Sequence, residues 1–229
     1  IRQTTRSLGP IALAISLAMM LGAKRPCVAD GGMMNEKPLP APRRTGGPSL
    51  EECLARRRSH RAFTHEPLSE AQVSQLLWAA QGTTSAEGFR TAPSAGALYP
   101  LELYAVRADG IFHYRPRAHA LQQMTGNDRR ADLQRAALDQ ACVGQAPCVF
   151  VVAGFVTRTA RKYGPERAPR YVWMEAGHAA QNLLLQATAL GLGAVPVGAF
   201  DDDAVRQVLA LPPDELPLYL IPVGRTATH

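Results

Sequence analysis

The longest helical pattern in the chain, residues 169–190, and the apolar run ahead of it limit most sharply what this sequence can fold into. Pro169 stands in a first helical turn, where its missing N–H costs nothing, and Gly191 is placed to stop the helix. Val172, Ala176, Ala180, Leu183, Leu184, Ala187 and Leu190 share one side. Upstream, Cys148 to Phe155 is continuously apolar and rich in β-branched residues, which predicts a buried strand.

The other elements mix the two kinds. Ser49-x-x-Glu52 is a capping box that predicts a helix to about Arg58. Ser69-x-x-Gln72 opens a second, with Val73, Leu76, Leu77 and Ala80 as its core stripe and Gly82 as its end. Leu101 to Arg107 alternates as a strand, Asp109-Gly110 is a hairpin turn, and Ile111 to Tyr114 returns. That hairpin puts His113 and His119 at the surface. Asn127 or Asp128 opens a helix to about Asp139. Ala194 to Phe200 is a short strand running into a turn, Asp201 to Asp203 cap a helix to Ala210, and Leu216 to Val223 is the last strand. Strands and helices without a regular βαβ repeat give the class α+β. No dinucleotide fingerprint, Walker loop or His-Glu-x-x-His occurs, so a Rossmann domain or a zinc protease has no support.

The net charge of +6 suggests nucleic acid, but its location argues against that partner. Residues 1–48 hold seven Lys/Arg against two acids, while the rest of the chain holds 18 basic and 17 acidic residues. Arg2 and Arg6 precede an apolar stretch at residues 8–23, the pattern of an export signal or a membrane tether. Residues 1–29 are therefore read as signal or anchor, 30–48 as a flexible Pro- and Gly-rich linker, and 49–229 as the folded domain. An exported chain is periplasmic or extracellular; a mis-assigned start would make it cytoplasmic. Cys142 and Cys148 lack metal spacing and read as buried small hydrophobes, with a disulfide between them left open. No metal site is expected. Glu175, His178 and Asn182 recur at i, i+3, i+7, but a di-metal Glu-x-x-His site needs a second copy and further glutamates. Satisfied polar contacts on a buried or subunit-facing helix are the expectation there.

Three stretches carry the candidate chemistry. Pro93-Ser94-Ala95-Gly96-Ala97 has little side-chain bulk, so its backbone can lie against a flat ligand. Arg56 to Arg61 places several guanidiniums and a hydroxyl within six residues. They suit either an anionic group or plain solvation of a helix end. Lys162 is the only lysine after residue 48, either a functional amine or an exposed side chain on a loop before the long helix.

Taken in series, Arg57-Arg-Ser-His-Arg61, Pro93-Ser-Ala-Gly-Ala-Leu-Tyr-Pro100, Arg161-Lys-Tyr-Gly164, Glu175-Ala-Gly-His-Ala-Ala-Gln-Asn182 and Pro196-Val-Gly-Ala-Phe-Asp201 resemble the FMN-dependent nitroreductase family. Within it they look like the SagB-type dehydrogenases, the branch with thiazole/oxazole-forming oxidases. The resemblance spans about residues 50–224. It implies an intertwined homodimer of α+β subunits, each with a mixed or antiparallel sheet flanked by helices, and two FMN sites at the interface. By the same resemblance Arg57, Arg58, Ser59 and Arg61 contact the FMN phosphate, ribityl chain and pyrimidine edge. Ser94, Ala95, Gly96, Ala97 and Leu98 are the loop that the second subunit lays against the flavin, and Ala97 stands where many members have Asn. Gly198 and Ala199 match the backbone beside the isoalloxazine. Arg225 is the residue beyond the last strand placed to help with the phosphate. Lys162 and Tyr163 match the pair that azoline-oxidising members use, a base for the proton while hydride goes to flavin N5.

The function implied is hydride exchange between FMN and an organic small molecule or peptide. Two alternatives stand beside it: an NAD(P)H-dependent nitro- or quinone reductase, and a flavin-binding protein without turnover.

Overall fold

The computed structural model describes residues 36–227; the signal or anchor read at 1–29, with its apolar stretch, lies outside them. In chain order the elements are β1 (Glu36–Pro38), α1 (Leu50–Arg56), α2 (Glu70–Gln81), β2 (Leu101–Arg107), β3 (Gly110–Arg115), β4 (Ala120–Thr125), α3 (Arg130–Ala136), α4 (Ala141–Gln145), β5 (Cys148–Phe155), α5 (Val156–Tyr163), α6 (Ala168–Ala189), β6 (Gly193–Ala194), α7 (Asp202–Leu209) and β7 (Glu215–Gly224). The strands form one antiparallel sheet in the order β1-β4-β3-β2-β5-β7-β6.

The uninterrupted apolar run of β5 has a direct cause: helices cover both faces of the sheet. Phe150 and Val152 pack with Leu76, Leu77 and Leu183 of α2 and α6. Val149, Val151 and Ala153 point the other way, among Leu133, Val143, Val205 and Leu209 of α3, α4 and α7. Both expected capping boxes form: the Ser49 and Ser69 hydroxyls accept from the amides of Glu52 and Gln72, whose side chains accept the cap amides. At a 1.5 Å rise the 22 residues of α6 run about 33 Å. That matches the roughly 30 Å of ten-residue β7, so α6 carries the chain from one end of the sheet to the other.

Several expectations need correction. From Glu36 on, the expected linker belongs to the sheet. β1 pairs with β4, Leu39 is buried, and Gln75 holds Arg43 through both its amide atoms. The edge of β4 would otherwise present unpaired backbone groups, and a strand ending in Pro38 suits an outermost position. β4 itself was not expected. It encloses the histidines assigned to the surface: His113 is buried against Glu102, and His119 contacts Ser74, Tyr114 and the Pro40 carbonyl. The helix expected to Asp139 stops at Ala136, since Leu138 and Asp139 take left-handed backbone (φ 56° and 57°) before α4 begins. Lys162 lies in the last turn of α5, not on a loop. That helix has little apolar pattern to announce it, and Thr159 is its buried residue. Cys142 and Cys148 are separate buried thiols. Among the described residues no helix is long and apolar enough to cross a membrane.

Candidate active site

Where β7 finishes, the segment after α1 runs along the margin of the sheet. Ser59 bridges Ala194, the His60 amide donates to the Ala194 carbonyl at 3.0 Å, and the Thr64 amide donates to the Arg225 carbonyl at 2.9 Å. These bonds bring Arg57, Arg58, Ser59, Arg61 and Arg225 to one end of the molecule. Arg58 donates to the carbonyls of Ala55 and Arg57 at 3.0 and 2.8 Å, closing the end of α1. Arg225 pairs with Glu66 at 2.8 Å. Arg57 and Arg61 make no ion pair with an acid among the described residues.

The chain after β6 continues beside β7. Val197 and Leu220 exchange backbone bonds of 2.8 and 3.0 Å, which places Gly198 about 13 Å from Ala194 at the rise of extended chain. The Ala199 carbonyl accepts from Gln140 Nε2 at 2.8 Å, and the Asp201 amide donates to the Ala136 carbonyl, also at 2.8 Å. A Cβ added to Gly198 would meet nothing within 4 Å, so the space above that backbone is open.

The second group lies at the opposite end, where β2 starts, β5 ends and β7 begins. The Ser94–Leu98 loop precedes β2, and α5 follows β5 at once. Gly96 has φ 63°; a Cβ there would lie 2.8 Å from Lys162 Nζ and 2.9 Å from the Tyr163 hydroxyl. Ala97 and Tyr99 are also left-handed (φ 54° and 47°), a conformation that costs non-glycine residues energy. Three contacts hold this strained run. The Tyr99 amide donates to Ser94 Oγ at 2.9 Å, the Ala97 amide to the Ser94 carbonyl at 3.0 Å, and Arg158 Nη1 to the Tyr99 carbonyl at 2.6 Å.

Arg158 stands one turn before Lys162 and ties α5 to the loop. Its second nitrogen donates to Glu102 at 2.7 Å, and Glu102 also contacts His113 at 2.9 Å. His113 stacks on Tyr104 with centroids 4.6 Å apart, and the Tyr104 hydroxyl donates to Glu215 at 2.8 Å. Burial alone would raise Glu102, but the bonds from His113 and Arg158 hold it below the usual carboxylate range. Burial pushes Glu215 up to about 7 against the opposing Tyr104 bond. Lys162 itself is exposed, its Nζ 5.6 Å from the centre of the Tyr163 ring, and that ring packs edge-on against Tyr171 at 4.8 Å.

Under the loop, a cleft of about 230 Å³ is lined by Ser94, Ala95, Tyr171, Met174, Glu175 and His178 among others. Glu175 is buried beside Ser94 and Gln81, and its Oε1 has no hydrogen-bond partner among the described residues. Burial raises it to about 7, offset in part by Ser94 and Arg90. The sequence reading missed Arg158, Glu102 and this role for Glu175. The i, i+4 spacing of Arg158 and Lys162 would have linked them once α5 was recognised.

Most of the roughly 30 Å of β7 therefore separates the arginine segment, bonded near Val223 to Arg225, from the Lys162 end where β7 begins, with Gly198 near the middle beside Leu220. The sequence profile of the nitroreductase family matches residues 54–225. A protein of Methanocaldococcus jannaschii named as a nitroreductase is 44% identical over 182 residues, 77% of this chain and 90% of that one. The trifolitoxin operon protein TfxC of Rhizobium leguminosarum bv. trifolii is 26% identical over 75% of this chain, which spans 54% of that relative's length. A crystal structure named as a nitroreductase from Ralstonia eutropha superposes with a TM-score of 0.77 at 31% identity, covering 86% of this chain and 93% of that one. On these matches and this sheet, the chain belongs to the nitroreductase family of oxidoreductases.

Proposed function

We propose that two copies of this chain build two FMN sites, each drawing its halves from different copies. One copy supplies Arg57, Arg58, Ser59 and Arg61 to the phosphate and polar edge, with the Gly198-Ala199 backbone beside the ring. The other supplies Ser94 to Leu98 and the Lys162–Tyr163 pair. The residues present fit such a cofactor: free guanidiniums suit a phosphate, and the bare backbone at Gly198 leaves room for a flat ring. Arg225, held by Glu66, can assist only after exchanging partners. Large apolar side chains on the outer faces of α1 (Leu50, Leu54) and α6 (Trp173, Met174) support a second copy covering them.

Bound FMN supplies hydride exchange at N5. In the dehydrogenase reading, Lys162 would take one proton from the substrate, and bound FMN would supply the hydride acceptor for the two-electron oxidation. Lys162 is exposed in a single chain, and the second copy and cofactor supply the desolvation that a lysine base needs. The approach of Lys162 Nζ and the Tyr163 hydroxyl to Gly96 carries this reading, because it joins the two motifs at one spot. The partner reading, NAD(P)H-dependent reduction of nitro compounds or quinones, is favoured by the name of the archaeal relative. Residues 1–29 add export or membrane tethering to the proposal, checked by cell fractionation of the full chain.

Purified protein separates the possibilities. Yellow protein bleached anaerobically by an oxidisable substrate but not by NADPH supports the SagB-type dehydrogenase. Bleaching by NADPH supports the reductase, and colour unchanged by every donor leaves a binding protein.

A further inference from the structure

Beside Ala97 and Tyr99, at the Ser94–Leu98 loop, lies a cleft of about 450 Å³, within the range of small-molecule sites. Phe89, Arg90, Ala97, Tyr99 and Arg117 line it. Arg90 is fixed twice: its Nη1 donates to Gln81 Oε1 at 3.0 Å, and its guanidinium lies 4.7 Å over the Tyr99 ring. Arg117 reaches the same cleft at Gly88, with Nη2 3.7 Å from where a Cβ would stand. Neither arginine has an ion pair among the described residues. Two buried acids act on Arg90 through space: Glu102, which is committed to Arg158 and His113, and Glu175, which makes no ion pair with it. Glu87 on the rim is fully exposed and turned toward the Ser85 hydroxyl. Phe89, 54% exposed, offers an open aromatic wall among the described residues.

A pre-positioned guanidinium, a second one free to swing, and an open aromatic face together recognise a planar anion. We infer that this cleft is a substrate subsite for an aromatic carboxylate, its oxygens on Arg90 and Arg117 and its ring along Phe89, entering toward Ala97. The orientation toward flavin chemistry rests on the placing of FMN against residues 94–98; the carboxylate site does not.

Isothermal titration calorimetry on the protein as purified, with benzoate, benzamide and inorganic phosphate at fixed ionic strength, tests this. Benzoate is expected to bind at least tenfold more tightly than either of the others. Arg117→Gln, whose guanidinium makes no hydrogen bond or ion pair among the described residues, should remove at least tenfold of the benzoate affinity and leave benzamide unchanged. Arg90→Lys should do the same if the fork geometry matters. Equal binding of benzoate and benzamide, or full benzoate affinity in Arg117→Gln, overturns the site. Phosphate binding better than benzoate makes it a phosphate subsite and overturns the carboxylate assignment. Loss of yellow colour in Arg117→Gln assigns the cleft to FMN and overturns it too. Because the heat is read with or without flavin, a colourless protein that still prefers benzoate sinks the flavin proposal and not this one.

Discussion

The arginine end and the lysine end of the sheet are built on different principles. At the first, guanidiniums project from an extended segment tied to the sheet by backbone bonds and the Glu66–Arg225 pair, and two of them, Arg57 and Arg61, have no acidic partner among the described residues. At the second, a strained loop, a short helix and three strands are cross-linked by Arg158, Glu102, His113, Tyr104 and Glu215. An end that holds an anion can let the ligand complete its order. An end that must aim an amine at a reacting bond has to be ordered beforehand, because small displacements cost rate. The difference teaches where binding and turnover should part company under mutation.

The largest expected effect is on binding. Arg57→Gln with Arg61→Gln should give folded, colourless protein; retained flavin in the absorbance spectrum places the phosphate elsewhere. Next comes turnover at the other end. Lys162→Ala should keep the flavin spectrum while lowering kcat by about 10²–10⁴-fold, the usual worth of a positioned base. A fully active variant removes the lysine from the mechanism. Arg158→Lys keeps the charge but loses the fork that grips both the Tyr99 carbonyl and Glu102. It should lower kcat by roughly 10–100-fold with flavin and KM little changed; an equal fall in flavin content would make Arg158 merely structural.

The smallest effect is on stability. Glu175 is raised by burial to about 7 from an ordinary value of 4.5. The folded state then keeps a proton that the unfolded chain releases, so this stabilisation is full below about pH 4.5 and lost as pH rises through 7. Glutamine at 175 cannot ionise. Thermal melts from pH 5 to 8 should show a shallower decline in Glu175→Gln, the difference reaching about 3 kcal/mol at most. Parallel pH profiles would mean that Glu175 titrates normally.

What the sequence revealed follows the same division. Capping boxes, the stripe of α2, the β5 run and the Pro–Gly bounds of α6 are local signals, and each element lies within about two residues of its expected place. The strand β1 was hidden by its three-residue length and by Pro38, Pro40 and Pro42 in and after it, and α5 by a composition that is mostly polar. Candidate residues stand out because backbone and charge requirements leave marks in sequence, as at Gly96 and Arg57. Spacing alone does not place them within one chain, since only the register of β5 with β2 and β7 puts the Gly96 loop and Arg61 at opposite ends. The bonds of Arg158 to Tyr99 and Glu102 and the burial of Glu175 were equally invisible, because both depend on residues far apart in the chain.

Mixing two inactive chains tests the shared site most directly. Lys162→Ala chains and Arg57→Gln/Arg61→Gln chains, co-expressed and purified together through different tags, form mixed dimers in which one site receives intact arginines from the first and an intact lysine from the second. The account predicts flavin at that site and turnover approaching half the wild-type value per dimer, although neither homodimer is active. Mixed dimers as inactive as their parents would contradict it, because each chain would then have to hold a complete site of its own.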